Sequence, residues 1–172
     1  SSAASDVYKR QYTRSARGLR GVESMLAVER LKNLLDGNEA EAEYNGVVIT
    51  SNGSKVTVSA TGLFTPPVSF ELNSVQLRLL RGFLEFDDGP VHVIKLENGV
   101  RLGFEWVEGF QTALDLLEDG TSVAHEYWGS IDWDRWTVFP DGSTRYTGDL
   151  NESRCVPEWV ERAVMGLSLI HI

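Results

Sequence analysis

The chain has 172 residues, with 16 lysines and arginines against 25 aspartates and glutamates, and a formal charge of −9. That balance argues against direct binding to DNA or to an anionic membrane, because phosphate contacts need clustered basic side chains. It contains no apolar run long enough to span a bilayer, and the single cysteine, Cys155, excludes an internal disulfide and fits a reducing, cytoplasmic setting.

The two ends share a signature. Asp6-Val7-Tyr8-Lys9-Arg10-Gln11 can be encoded by GAT GTG TAT AAG AGA CAG, whose reverse complement translates to Leu167-Ser168-Leu169-Ile170-His171-Ile172. This segment resembles the inverted end recognised by a transposase used to prepare sequencing libraries, and Ser1 to Ser5 fits the rest of such an adapter. The resemblance implies that residues 1–11 and 167–172 are adapter-derived and stand outside the fold. Without Asp6, Lys9 and Arg10 the charge deepens to −10. Residues 12–24 show no amphipathic period. They read either as upstream DNA translated in frame before a start at Met25, or as a basic tail. Residues 25–166 are expected to form one acidic domain, in which lysine occurs only at Lys32, Lys55 and Lys95.

Met25 to Leu35 reads as a helix, with Val28, Leu31 and Leu35 on one stripe and Asp36-Gly37-Asn38 as its stop. Strands Gly46–Ser51 and Ser54–Ala60 flank Asn52-Gly53. A two-residue turn there opposes Ile49 to Val56 and Val47 to Val58, all on one face. Thr65-Pro66-Pro67 interrupts the pattern, and Val68–Leu72 resumes as an edge strand. Val75 to Phe86 fits both periods; extended structure over Leu79–Phe86 is the preferred reading. Val91–Leu96 and Val100–Trp106 form a hairpin. A three-residue loop with Gly99 left-handed opposes Ile94 to Leu102 and puts His92, opposite Phe104, on an apolar face. Glu108–Glu118 carries a helical stripe of Phe110, Ala113, Leu114 and Leu117. Strands follow at Ser122–Trp128, Asp134–Phe139 and Ser143–Thr147, the last pair opposing Trp136 to Tyr146. Pro157 opens a final helix with Trp159, Val160, Ala163 and Val164 on its apolar face. Hairpins in succession with about three helices imply an α+β fold, a mostly antiparallel sheet of six or seven strands with helices packed on it.

The densest polar and aromatic stretch is His125-Glu126-Tyr127-Trp128 followed by Asp132-Trp133-Asp134-Arg135-Trp136. As a binding surface it offers Trp128, Asp132, Trp133, Asp134 and Trp136, since aromatic faces anchor interfaces and carboxylates accept hydrogen bonds. As ordinary core, Trp128 and Trp136 are aromatics on neighbouring strands. His125, Glu126, Asp132 and Asp134, with His92, supply metal-ligating chemistry for a metal-dependent hydrolase. Adjacent strand residues point to opposite faces, however, and the calcium-loop spacing is absent. Cys155 precedes a helix start, where a dipole favours thiolate, but a lone cysteine is ordinarily a small buried hydrophobe. No phosphate loop, nucleophile elbow or paired Cys motif occurs.

The composition therefore favours a non-enzymatic binding or regulatory module that needs no cofactor and whose acidic surface suits a basic protein partner. The metal-dependent hydrolase is the alternative. Salt adaptation would explain the acidity with no partner at all. The sequence sets no oligomeric state.

Overall fold

The computed structural model describes residues 27–86, 91–105, 111–128, 132–148 and 155–170. The fold is α+β. Among the described residues it has three helices and ten strands, divided between two antiparallel sheets where a single sheet of six or seven strands was expected.

Helix α1 (Ala27–Leu35) buries Val28, Leu31 and Leu34 and ends at Gly37, whose φ of 82° suits a left-handed helix stop. The first sheet follows in sequence order: β1 (Glu41–Tyr44), β2 (Val47–Ser51), β3 (Val56–Ala60) and β4 (Val68–Glu71), with β4 at an edge as expected. The β1–β2 turn is Asn45-Gly46, with φ values of 52° and 79°, the conformation that this pair favours in a two-residue hairpin. The second Asn-Gly pair behaves differently. The Asn52 side-chain oxygen accepts the Ser54 and Lys55 amides at 3.2 and 2.9 Å, so the loop takes four residues and Ser51 faces Val56. Ile49 therefore opposes Val58, not Val56, and Val47 opposes Ala60. A slip of two keeps each side chain on its expected face.

Helix α2 (Ser74–Phe86) overturns the extended reading of Leu79–Phe86. It buries Val75, Gln76, Leu79, Leu80, Phe83 and Leu84, a stripe wide enough to carry a strand-like alternation at its end. Its start is set by a reciprocal cap. The Asn73 side-chain oxygen accepts the Gln76 amide at 2.9 Å, and the Gln76 side-chain oxygen accepts the Asn73 amide at 3.0 Å. The Gln76 Nε2 then donates to the carbonyls of Leu117 (3.0 Å) and Thr121 (3.2 Å), and Asn73 Nδ2 donates to that of Gly120 (2.9 Å). A fully buried amide thus fastens the helix to a turn of the second sheet.

That sheet is a meander of β5 (His92–Leu96), β6 (Gly99–Glu105), β7 (Gln111–Leu117), β8 (Ser122–Trp128), β9 (Asp132–Val138) and β10 (Thr144–Gly148). The β5–β6 loop has two residues, Glu97-Asn98, and Leu96 faces Gly99. Val93 opposes Leu102 in the core, while Ile94 is 40% exposed opposite Arg101. The expected pairing of Ile94 with Leu102 is thus wrong by one residue, which turns β5 over. His92 opposes Gly103, not Phe104. Gly99 is not left-handed. It is needed because a Cβ there would stand 2.2 Å from the Leu116 carbonyl oxygen.

The helix expected over Glu108–Glu118 is a strand over its described part, and residues 106–110 lie outside the described residues. Thr112, Leu114 and Leu116 face one side of the sheet and Ala113 and Asp115 the other, yet all five are buried. Burial on both faces removes the polar alternation that identifies a strand. Trp136 opposes Tyr146 as expected.

Helix α3 (Glu158–Ile170) follows Pro157, whose carbonyl accepts the amides of Val160 and Glu161 at 3.0 Å each. It buries Trp159, Val160 and Ala163 and continues past Gly166; residues 1–26 and the side chains of 166–170 lie outside the described residues. No helix among the described residues is long and apolar enough to cross a membrane. Phe83 of α2 stacks on Phe104 of β6 at 4.7 Å and meets the Trp159 ring edge-on at 5.4 Å. Asn45 Nδ2 donates to the Val93 carbonyl at 3.1 Å, tying the first sheet to the edge of the second.

Replacing Gln76 with Leu should lower stability by about 2–4 kcal/mol, since it removes the side-chain half of the reciprocal cap and one of the two donors at each of the Leu117 and Thr121 carbonyls. Urea denaturation measures this, and an unchanged midpoint would show that the clamp is not needed.

Candidate functional site

The register separates the residues singled out from sequence. Asp134 and Trp136 point inward: Trp136 is 3% exposed with its ring 5.7 Å from that of Tyr146, and Asp134 accepts the Tyr146 hydroxyl at 2.5 Å. Trp133 points the other way, half-buried, with the Arg135 guanidinium 4.3 Å above its ring. The side chains of Trp128 and Asp132 lie outside the described residues. The five proposed binding residues are therefore not one surface; Trp133 is the member that sits on the outer face.

The metal-ligating set divides in the same way. His125 faces outward beside Tyr127, while Glu126 faces inward and lines a groove of about 520 Å³ between α2 and α3 with Arg78, Glu85, Trp159 and Arg162. No group of three or more His, Cys, Asp or Glu side chains able to hold a metal occurs among the described residues. His92 is half-buried on the outer face, one strand pair away from His125 in the row through Gly103 and Ala113. Cys155 is exposed, contrary to the expectation of a buried hydrophobe.

What the sheet does assemble is a chain of four polar groups on its outer face. Arg101 on β6 stands opposite Asp115 on β7 and donates to both carboxylate oxygens, at 2.6 and 3.0 Å. Asp115 Oδ2 also meets His125 Nε2 at 2.8 Å, and His125 Nδ1 meets the Tyr127 hydroxyl at 3.2 Å. The rings of His125 and Tyr127 stack with centroids 5.7 Å apart and an 8° tilt. Asp115 and His125 are buried; Arg101 and Tyr127 are half-buried.

The electrostatics define the protonation pattern. Burial lowers the His125 pKa, and the charges of Arg101 and Arg135 add to that effect; together they outweigh the pull of Asp115. Burial pushes the Asp115 carboxyl up, but the hydrogen bonds and charges of His125 and Arg101 hold it below the ordinary carboxylate value. Its bond to Asp115 raises Arg101. Neutral His125 then donates from Nε2 to Asp115 and accepts at Nδ1 from Tyr127, which satisfies both ring nitrogens. The arrangement has the carboxylate–imidazole–hydroxyl order of a catalytic triad, but Arg101 already neutralises the carboxylate that would stabilise an imidazolium. Chemically it is a cross-strand fastener for β6, β7 and β8. The signal was Arg101 opposite Asp115 with His125 on the diagonal, opposite Ala113, which became readable only after β7 proved to be a strand.

The two sheets differ in the charge of their outer faces. The small sheet carries Glu41, Glu43 and Glu71, with Lys55 3.8 Å from Glu71. The large sheet carries Arg101, Arg135 and Arg145, with Asp115 paired to the first. Comparison of the chain with protein-family models, curated proteins and solved structures finds no match in any of the three.

Stability should fall on acidification in two steps. His125 has a folded pKa below its ordinary 6.5, so the unfolded chain binds the extra proton first and stability is lost as pH drops from about 6.5 toward the folded value. Asp115 adds a loss below its ordinary 3.8. Urea midpoints against pH should show the upper step in the wild type and not in His125→Gln; an equal slope in both would contradict the assignment.

Proposed function

We propose that the chain is a non-enzymatic binding module that recognises a basic protein through its acidic surface. The observation that carries this reading is the segregation of charge: Glu41, Glu43 and Glu71 share the outer face of the four-stranded sheet, in a chain of net charge −9. A face on which three glutamates outnumber one lysine steers a basic partner and raises its association rate. The internal satisfaction of the Arg101–Asp115–His125–Tyr127 chain supports a structural role for the most triad-like group of residues. The Trp-rich stretch contributes through Trp133 at most, because Trp136 belongs to the core.

Affinity capture on the immobilised chain, with identification of what is retained, tests the proposal. A discrete set of basic proteins is expected at low ionic strength, released near 0.5 M salt where the Debye length falls to about 4 Å. The variant Glu41→Lys/Glu43→Lys/Glu71→Lys should associate with the retained protein at least about tenfold more slowly with an unchanged melting temperature. Retention that is indifferent to both salt and these three substitutions would refute it.

A further inference from the structure

The loop between β3 and β4 runs Thr61-Gly62-Leu63-Phe64-Thr65-Pro66-Pro67 and holds Leu63 and Phe64 at 93% and 96% exposure. No other large apolar side chain among the described residues exceeds the 54% of Met165. Single exposed apolar residues are ordinary, but two adjacent ones at almost full exposure on a loop tip are not.

The tip stands on a fixed stem. The Thr61 amide donates to the Gly46 carbonyl at 3.1 Å, next to the tight β1–β2 turn. Lys95 Nζ, from β5, donates to Thr65 Oγ1 at 2.6 Å and to the Leu96 carbonyl at 2.9 Å. Gly62 makes that approach possible: a Cβ there would lie 2.9 Å from Thr65 Oγ1 and 3.1 Å from Lys95 Cδ. Pro66 and Pro67 restrict the descending arm. Both arms are anchored, and the two apolar side chains are held out in place of folding back onto the sheet. Such preorganisation reduces the ordering cost of inserting an anchor into a partner.

The register places acidic residues on the outer face of the sheet from which this loop rises. The loop leaves β3 after Ala60 and enters β4 at Val68. The next outer-face row is Glu43, Val48, Ser59 and Ser69, and the row after it holds Glu41 and Glu71. The cation nearest the loop, Lys95, commits its ammonium to Thr65 and the Leu96 carbonyl. The exposed charges of the sheet below are mostly carboxylates, a poor match to a lipid surface, whose anionic headgroups attract basic flanks. The tip and this face together have the layout of a protein interface, with a central aliphatic and aromatic anchor and a charged rim.

We propose that Leu63 and Phe64 form the anchor of a protein-docking surface and insert into an apolar pocket on a basic partner, whose cations lie over Glu41, Glu43 and Glu71. The proposal rests on the binding-module reading above and specifies its contact surface.

The test places the photo-crosslinker p-benzoylphenylalanine at position 64 of the full chain, with the same group at Asp141, an exposed turn residue, as control. Crosslinking at 64 but not at 141 to one basic protein is expected. Leu63→Ala/Phe64→Ala should weaken binding of that protein by about tenfold or more, with no change in melting temperature. Crosslinking no greater than at position 141, crosslinks confined to a second copy of this chain, or Phe64-dependent flotation with phosphatidylserine vesicles would each overturn the proposal. If the alanine pair binds normally while the triple Glu→Lys variant does not, the anchor falls and the binding-module reading survives. A Phe64-dependent partner without basic charge overturns both.

Discussion

The fold depends on the two-sided burial of α2. Its Phe83 lies between Phe104 on the large sheet and Trp159 on α3, at 4.7 and 5.4 Å. Its N-terminus is held by Gln76 against the turn that joins β7 to β8. Farther along, Arg81 donates to Asp36 at 2.9 Å and to the Leu35 carbonyl at 3.1 Å, tying α2 to the end of α1. One helix therefore fixes the large sheet, the final helix and the first helix in place, and its core extends without a break into the small sheet. A segment contacted from several sides cannot show a narrow apolar stripe, and this explains its ambiguous pattern.

Covering the inner faces leaves two outer faces with opposite chemistry. The large sheet turns outward a buried carboxylate and imidazole, and it resolves their cost by closing the hydrogen bonds among four side chains on three adjacent strands. Arginines surround that chain, so the face gains little net negative charge. The small sheet turns outward serines, threonines and three glutamates with a single nearby lysine, so its outer face is net acidic. The apolar tip at Leu63 and Phe64 rises from the end of the same sheet, and the proposed docking surface combines this hydrophobic anchor with the acidic face. Charge sets the encounter and apolar burial sets the residence time, which is the usual division of labour at a docking surface.

Turn chemistry illustrates how context selects among local options. Two Asn-Gly pairs, Asn45-Gly46 and Asn52-Gly53, carry the same signature, yet only the first forms a two-residue hairpin turn. The second opens to four residues because the Asn52 side chain captures two backbone amides. Between β5 and β6, Asn98-Gly99 suggested a left-handed glycine. The requirement there is close backbone approach to Leu116, a contact between residues 17 positions apart that no local pattern encodes.

The sequence by itself determined the α+β class, the first and last helices, the edge position of β4, the inward face of β2 and β3, and the Trp136–Tyr146 pair. Each of these has one buried face and one wet face, or a turn that dictates its own register, so periodicity reports it directly. Tertiary structure decided that Ser74–Phe86 is a helix, that Gln111–Leu117 is a strand, and that the chain builds two sheets. Those segments are covered on more than one side, and full burial erases the polar alternation by which helix and strand are told apart. The candidate site divides along the same line. Trp133 and His125 were visible as residue types, but the alignment of Arg101, Asp115 and His125 across three strands exists only once long-range pairing brings them together.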